Sequence, residues 1–268
     1  MKIDLHNHTI HSDGILSEEE LVKRAKLNGV DIFALTDHDS TYGCENIIKY
    51  GEKYGVKVIK GMELSTDYYG ESIHIVCLFK DNIIPEKILN FSRDFKEKRK
   101  LRAIKMIKLI HEYYGLKYDL DLLLEGEVIT RANIMRNIAK CNNISFEEAK
   151  KYCSKDSKAY IPSTKMSVSE GLDLAHQAGS IAIFAHPCLV KNRSIVEDLI
   201  KLGFDGIEVR YPSNKNDESY FLNLAKKYNL FISAGSDCHG DDTHADIGTS
   251  TLNEEEFRPL AKALNFKI

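Results

Sequence analysis

The sequence predicts an α/β protein in which parallel strands alternate with helices, as an open sheet or a closed barrel. Seven short segments are rich in β-branched or aromatic residues and are bounded by polar residues or glycine, which is typical of buried strands. Helical patterns fill most of the gaps between them, and this alternation favours a parallel sheet. The chain has 268 residues, of which 43% are hydrophobic. This length suits one large domain, or a main domain with a smaller insertion.

The predicted elements follow in chain order. The strands are Ile3–Leu5, Ile32–Leu35, Val56–Ile59, Ile73–Phe79, Ile181–Ala185, Gly206–Val209 and Leu230–Ala234. Ser17 with Glu20, and Ser167 with Glu170, have the spacing of capping boxes that begin helices. Gly29 and Gly179 can end those two helices in a left-handed conformation. Residues 194–202 and 216–228 also have helical patterns.

Composition excludes several classes of protein. A net charge of −3 excludes a wholly basic nucleic-acid coat, and the apolar content argues against disorder as the dominant state. No segment resembles a secretory signal, and none approaches the ~20 apolar residues of a membrane span. The six cysteines are scattered without a CxxC pair, which fits reduced thiols. We therefore expect a cytoplasmic protein that does not associate with membranes.

Metal-ligating side chains lie in or directly after almost every predicted strand. Six of the ten histidines are at such positions, together with carboxylates. The set comprises His6, His8, His38, Glu63, His74, His186, Asp237 and His239, with Asp13 in the first loop. Residues after the carboxyl ends of barrel strands converge on one rim, and imidazoles with carboxylates are ligands for divalent metals. The set therefore predicts a metal site at that rim.

The spacing within two motifs supports this prediction. In an extended chain, side chains two residues apart point to the same side, so His6 and His8 can clasp one ion. Asp237 and His239 repeat this spacing after the last predicted strand. Neither motif is specific alone, but their occurrence at opposite ends of the strand series is much more specific.

Several motifs resemble those of the polymerase and histidinol phosphatase (PHP) family. They are the segment from Asp4 to Thr9 with Ser12-Asp13-Gly14, then Thr36-Asp37-His38-Asp39, Gly61-Met62-Glu63, Ala185-His186-Pro187 and Gly235-Ser236-Asp237-Cys238-His239. The resemblance implies a distorted seven-stranded TIM-like (β/α) barrel with two or three divalent metal ions at its carboxyl rim. Mn²⁺, Fe²⁺ and Zn²⁺ remain equally open.

The same resemblance implies three ligand sets. One ion would be held by His6, His8, Glu63 and Asp237, a second by Glu63, His74 and His186, and a third by Asp13, His38 and His239. We expect Asp37 to bind no metal itself and to orient one of the ligands by a hydrogen bond. A hydroxide bridging the metals would then attack phosphorus, so that Asp13, His38, Glu63 and Asp237 act in catalysis through the ions.

Within this family the chain is most similar to phosphoesterases that process nucleotides and carry a helical insertion. These act on nucleoside 3′,5′-bisphosphates or on the 5′ ends of short RNA. Arg131 matches the arginine of a Gly-Arg-Pro-His motif in that subgroup, with Asn133 in the place of its histidine. A guanidinium can grip a phosphate with two parallel hydrogen bonds, so Arg131 is the first candidate for the substrate phosphate. Lys165 and Arg210 are further candidates.

The segment 82–165 is too long for an ordinary crossover between strands. We expect it to be an inserted helical cap on a barrel made of residues 1–81 and 166–268. From Lys80 to Asp119 there are 11 Lys or Arg and 6 Asp or Glu, so the cap could attract phosphates. The run Lys96–Arg102 is expected to be a solvated face.

The predicted function is hydrolysis of a nucleotide phosphate ester, with no membrane and no obligatory protein partner. A phosphatase for histidinol phosphate or another small ester is the first alternative. A catalytically silent metal-bound module is another, although every ligand position is filled. An amidohydrolase is a further alternative, but those enzymes often bridge their metals with a carbamylated lysine, where this chain has Glu63.

Overall fold

The computed structural model describes residues 1–125, 128–162 and 165–268. The strands in this part of the chain are β1 Ile3–Asp4, β2 Ile32–Leu35, β3 Lys57–Tyr68, β4 Glu71–Leu78, β5 Met166–Ser167, β6 Ile181–Phe184, β7 Gly206–Arg210 and β8 Phe231–Ala234. The α-helices are α1 Glu18–Leu27, α2 Cys44–Tyr54, α3 Glu86–Tyr114, α4 Leu120–Leu124, α5 Arg131–Asn142, α6 Phe146–Cys153, α7 Val168–Gln177, α8 Val196–Ile200, α9 Glu218–Tyr228 and α10 Glu254–Ala263.

Seven strands form a nearly closed barrel in the order β1-β2-β3-β4-β6-β7-β8, and β5 pairs with the outer end of β3. The two ends of the series meet through backbone hydrogen bonds. Leu5 N donates to Ala234 O at 2.9 Å, and His8 N donates to Cys238 O at 2.9 Å. The predicted seven-stranded barrel is therefore confirmed.

The expectation of a purely parallel sheet is wrong for β4, which runs antiparallel to both β3 and β6. The reversal follows from a two-residue turn at Tyr69 and Gly70, both of which have positive φ. This turn joins β3 and β4 into a hairpin. Because β4 is reversed, its first residues lie beside the carboxyl ends of the parallel strands. Ala185 N, just after β6, accordingly donates to His74 O at 3.2 Å.

Alternating side chains divide the apolar residues into layers. In β2, Ile32 and Ala34 belong to a core shared with α10, whereas Phe33 and Leu35 pack with α1 and α2. In β4, Ile75 and Cys77 belong to a third cluster that includes residues of α7, α8 and α9. The barrel is thus packed on both faces of its strands.

The predicted helix signals are confirmed. Ser17 and Glu20 form a capping box at α1, and Ser167 and Glu170 form one at α7. Gly29 and Gly179 follow those helices with φ of 70° and 71°. The helix expected over 194–202 is shorter, because a 3₁₀ turn at Arg193–Ile195 precedes α8.

Helices α3 to α6 lie between β4 and β5 and share a separate apolar cluster. Met106, Ile110, Ile134 and Ile138 are among its fully buried members. The start of α3 instead packs on the barrel, where Ile88 joins the cluster of the outer helices. Among the described residues, no helix combines the length and apolarity that crossing a bilayer requires.

Candidate metal centre

The first two histidines stand where β1 meets the loop after β8. Asp4, at the end of β1, accepts hydrogen bonds from Ser236 N at 3.0 Å and Gly248 N at 2.7 Å. Burial raises the pKa of Asp4 to about 6. Asp237 N donates to His6 O at 2.9 Å. These bonds bring His6 and His8 beside Asp237, although the three are far apart in sequence.

Glu63 is at the centre of the cluster. Its Oε2 is 3.3 Å from His6 Nε2, 3.3 Å from His8 Nε2 and 2.9 Å from His38 Nδ1. Its Oε1 is 2.8 Å from His74 Nδ1 and 3.0 Å from His186 Nε2. A carboxylate that is 1% exposed therefore contacts five imidazoles.

The position of Glu63 corrects one expectation. It lies in the middle of β3, which extends to Tyr68, and not after the end of a strand at residue 59. Its neighbour across the sheet is Val76 of β4. The inner face of a long hairpin, and not a loop, thus supplies both Glu63 and His74.

Asp237 lies on one side of Glu63. Its Oδ1 is 3.0 Å from His8 Nε2 and 3.5 Å from His6 Nε2. Its other oxygen accepts a hydrogen bond of 2.8 Å from the hydroxyl of Tyr211. Tyr211 was not among the predicted site residues, and its position just after β7 was the available signal. Burial, and then the charge of Asp237, raises the pKa of Tyr211, so the phenol remains a donor.

Asp13 forms another corner of the cluster. Its Oδ1 is 3.2 Å from His239 Nε2, and its Oδ2 is 3.7 Å from His38 Nε2. His8 Nδ1 is 3.9 Å from the same carboxylate. The structure therefore brings together Asp13, His38 and His239, and it adds His8 to their surroundings.

Three overlapping groups have ligand atoms that all lie within 4.8 Å of one another. They are His6, His8, Glu63 and Asp237; His8, Asp13, His38 and His239; and His38, Glu63 and His74. The first group has the same members as one expected ligand set. His186 lies outside these groups but contacts the same Glu63 oxygen as His74.

The bonding of these atoms fits a cation better than a closed hydrogen-bond network. Among the described residues, buried atoms without a hydrogen-bond partner include His6 Nε2, His8 Nε2, Asp13 Oδ1, His38 Nδ1 and Glu63 Oε2. Buried polar atoms are otherwise almost always paired. All five atoms belong to residues of the groups just described. The cluster therefore has the composition and the unpaired polar atoms of a site for divalent metal.

The electrostatics of the cluster are those of tightly coupled acids and bases. Burial opposes the charge on Glu63, but the imidazoles of His38, His6 and His74 hold the pKa of its carboxyl well below the ordinary value. Burial likewise opposes the charge on His38, yet Glu63 and Asp13 raise its pKa to about 9. His74 differs, because burial lowers its pKa to about 4. Protons and cations would compete for these nitrogens.

Groups behind the cluster hold its imidazoles in place. Glu208 Oε1 is 3.1 Å from His6 Nδ1, and its Oε2 accepts a 2.5 Å hydrogen bond from His186 N. Asp37 accepts hydrogen bonds from Thr9 N at 2.7 Å and from Ser12 Oγ at 2.6 Å. Asp37 thus orders the loop between His8 and Asp13.

The candidate phosphate ligands have different surroundings. Lys165 Nζ donates to Ser72 Oγ, which lies 3.2 Å from His74 Nε2. Burial, followed by the charge of Arg99, lowers the pKa of Lys165 to about 8. Arg131 is exposed at the start of α5, and its charge makes a smaller contribution that also lowers the pKa of Lys165. Asn133, in turn, forms a capping box with Thr130 at the start of the helix that Arg131 begins.

The contacts of Arg210 do not favour its expected role as a phosphate ligand. Its guanidinium pairs with Glu256 through Nη2 at 2.6 Å and Nη1 at 2.9 Å, and with Glu218 through Nε at 2.7 Å. Two carboxylates thereby neutralise the one cation. The residue joins β7 to α9 and α10, so a phosphate would have to compete with these two carboxylates.

The expectation that the run Lys96–Arg102 is solvated is wrong for Arg99. Its side chain is 11% exposed and pairs with the fully buried Asp39, and it donates to Ser65 Oγ at 2.9 Å. The periodicity held a signal, since Phe95 and Ala103, four residues to either side, are both buried. Arg99 therefore belongs to the buried face of α3.

Arg136 was also missed. It donates to Asp13 O at 2.7 Å and to Asp241 at 2.9 Å, and so ties α5 to two loops of the cluster. His244 stacks on His239 with ring centroids 3.9 Å apart. By contrast, His111 and His176 lie outside the cluster, as expected, bonded to Leu116 O and Asp205.

Comparisons with known proteins point in one direction. The sequence model of the PHP domain matches residues 4–166. A 5′-3′ exoribonuclease from Haemophilus influenzae is 32% identical over 251 residues, which cover 89% of this chain and 90% of that protein. A 3′,5′-nucleoside bisphosphate phosphatase from Chromobacterium violaceum is 28% identical, covering 99% of this chain and 97% of that protein. A solved structure from Bifidobacterium adolescentis, described as a candidate metal-dependent phosphoesterase, has a TM-score of 0.86 at 23% identity, covering 97% of this chain and 96% of that one.

Proposed function

The chain belongs to the PHP domain family, and we propose that it is a metal-dependent hydrolase that cleaves a phosphate ester of a nucleotide. One observation carries the proposal: buried imidazole and carboxylate atoms without hydrogen-bond partners converge on Glu63. The relatives named for RNA and nucleoside bisphosphates support the nucleotide. The substrate is a nucleoside 3′,5′-bisphosphate or the 5′ end of a short RNA.

We propose two or three divalent ions, of Mn²⁺, Fe²⁺ or Zn²⁺. The first would be held by His6, His8, Glu63 and Asp237, the second by Glu63, His74 and His186, and the third by Asp13, His38 and His239. Such ions activate water near neutral pH and neutralise the oxygens of a phosphoryl group.

The protein's own groups would prepare the site for this chemistry. Glu208 contacts His6 Nδ1 and so fixes the ring with Nε2 facing the cluster. Tyr211 donates to one oxygen of Asp237 and leaves the other oxygen facing the histidines. Lys165 and Arg131 are proposed to bind the phosphate of the substrate. Both are cations, and Lys165 is one hydroxyl away from His74.

We further propose that residues 82–165 are a cap subdomain on a barrel formed by residues 1–81 and 166–268. The separate apolar cluster of α3 to α6 supports this division. Arg99 and Arg136 would fix the cap over the cluster, since each bonds to a loop of the barrel. The unpaired cysteines support a reducing compartment such as the cytoplasm.

The test is hydrolysis by protein whose bound metal has been measured. Manganese-loaded protein would be given adenosine 3′,5′-bisphosphate, a 5′-phosphorylated short RNA and, separately, histidinol phosphate, and the released phosphate and nucleotide would be quantified. We expect turnover of a nucleotide substrate that a chelator abolishes. Failure to turn over any nucleotide with at least two metal ions bound would overturn the proposal.

Two matched variant pairs sharpen this test. Glu63→Gln should lose metal and activity, whereas His176→Gln, which changes a histidine outside the cluster, should keep both. Arg131→Met should raise KM by about tenfold or more, because a charge-assisted phosphate contact contributes about 1.5–3 kcal/mol. Arg258→Met, which removes an exposed arginine of α10, should leave KM unchanged. Equal KM values for the two arginine variants would contradict the role of Arg131.

A further inference from the structure

We infer that the tip of the β3–β4 hairpin is the subsite on which the nucleobase of the substrate stacks, with Tyr69 as the stacking surface. The inference rests on the proposed nucleotide substrate and extends it to the part of the molecule that does not react. It assigns a role to the most exposed aromatic side chain among the described residues, since Tyr69 is 95% exposed.

The backbone at this tip is unusual for an aromatic residue. Tyr69 and Gly70 are the two central residues of the hairpin turn, with φ of 49° and 85°. Such turns strongly favour Asn, Asp or Gly at the first central position, because a bulky side chain is strained at positive φ. Tyr69 gains no burial in exchange. Strained, exposed positions of this kind cluster at ligand sites.

Two hydrogen bonds and one ring contact support the tip. Asp67 Oδ2 accepts a 2.8 Å hydrogen bond from Gly70 N, and Lys155 Nζ donates to Gly70 O at 2.8 Å. The ring of Tyr68 packs against the apolar cluster that includes residues of α7, α8 and α9. It contacts the ring of Tyr69 edge-to-face, with ring centroids 4.8 Å apart. A preorganised aromatic surface loses little conformational entropy when a base stacks on it.

A cavity of about 490 Å³ opens beside the two tyrosines. Lys165 and the start of α7, at Val168, form its other side. Asp67 lies on the aromatic side, where its carboxylate accepts the hydrogen bond from Gly70 N. The cavity thus has aromatic side chains on one side and the ammonium group of Lys165 on the other. This combination suits the flat base and the anionic phosphate of a nucleotide.

The geometry connects this cavity to the metal-ligating cluster. Lys165 donates to Ser72 Oγ, which lies 3.2 Å from His74 Nε2. Along β4, Glu71 at the tip and His74 at the cluster are three residues apart, or about 10 Å at 3.3 Å per residue. A nucleotide whose phosphate lies near Lys165 would therefore place its base at the tip. Since every base has a π-face, stacking there implies weak base preference.

The absence of tryptophan from the chain provides a direct test. Tyr69→Trp introduces a single tryptophan, whose fluorescence would be followed while adenosine 3′,5′-bisphosphate is added to metal-free and to manganese-loaded protein. We expect saturable quenching, and none with ribose 3,5-bisphosphate, which has no base. Tyr113→Trp, at an exposed position on α3, is the control and should not respond. No quenching, or equal quenching by the abasic compound, would overturn the inference.

Kinetics provide a second measurement. Tyr69→Gly removes the ring and suits the positive φ, so the turn should still form. Its KM for the nucleotide should rise roughly fivefold to 150-fold, the range of one stacked base, with kcat retained. Tyr69→Phe should match the unmodified protein. A Tyr69→Gly variant with unchanged KM would refute the subsite while leaving the proposed hydrolysis intact. Lack of any turnover by the unmodified protein would instead refute the proposed function.

Discussion

The buried pair of Arg99 and Asp39 gives a sharp prediction about stability. Arg99 donates to Asp39 Oδ2 and to Ser65 Oγ, and Asp39 is fully buried. Arg99→Met would leave an uncompensated carboxylate in the interior, which costs about 3–5 kcal/mol. At roughly 2–4 °C per kcal/mol, Tm should fall by 6–20 °C. Urea unfolding monitored by circular dichroism, with a chelator present, would measure the loss without any contribution from bound metal.

The double variant Asp39→Asn with Arg99→Met tests the cause of this loss. Asn tolerates the φ of 52° at this position and keeps an oxygen for Ser65 N, which donates to Asp39 Oδ1 at 2.8 Å. Removing both charges should recover most of the stability, because no buried charge is left unpaired. The reasoning is refuted if Arg99→Met costs less than about 1 kcal/mol, or if the double variant is no more stable than the single one.

Three further outcomes follow from contacts around the cluster. Glu208→Gln should weaken metal binding, measured by calorimetry, by about 10- to 100-fold, because the carboxylate that orients the His6 ring is lost. Unchanged metal affinity would show that Glu208 does not orient His6 for binding. The pKa of Lys165 is lowered to about 8, so KM for the nucleotide should rise above that pH as the ammonium group loses its proton. Lys165→Arg stays protonated and should remove this rise. A rise in KM that persists in the variant would come from another group. Arg210→Met should lower the unfolding free energy by about 1 kcal/mol, since its ion pairs are partly exposed, and it should leave KM unaltered; a raised KM would restore Arg210 as a phosphate ligand.

The sequence predicted the number and place of the barrel strands well, because buried strands are short apolar runs. It failed on β3 beyond Ile59. In that part of the strand the polar residues Glu63 and Ser65 alternate with apolar Met62 and Leu64, so it is not a continuous apolar run. Function accounts for Glu63, whose inward carboxylate faces five histidines. The alternation is itself a strand signal, but a prediction based on short apolar runs ended this strand at Ile59.

The antiparallel β4 was missed for a related reason. A two-residue hairpin is usually recognised by Asn-Gly or Asp-Gly, whereas this chain has Tyr69-Gly70. The cluster residues were found because their types are chemically rare and each follows or lies in a strand. Arg99 and Tyr211 were not found although each had a weak signal, in the helical spacing of Arg99 from Phe95 and Ala103 and in the place of Tyr211 after a strand. Arg136 was not found because only its tertiary contacts mark it.

The backbone junction of His8 with Cys238 has a consequence for the synthesis of the chain. The cluster unites side chains from residue 6 to residue 239, so it cannot assemble on a partly translated polypeptide. At a synthesis rate of 5–20 residues per second, roughly 10–50 s pass between the synthesis of His8 and that of Asp237. During that interval an incomplete chain can neither close the barrel nor attack a nucleotide, so any ribosome-bound fragment ending before residue 237 should be inert.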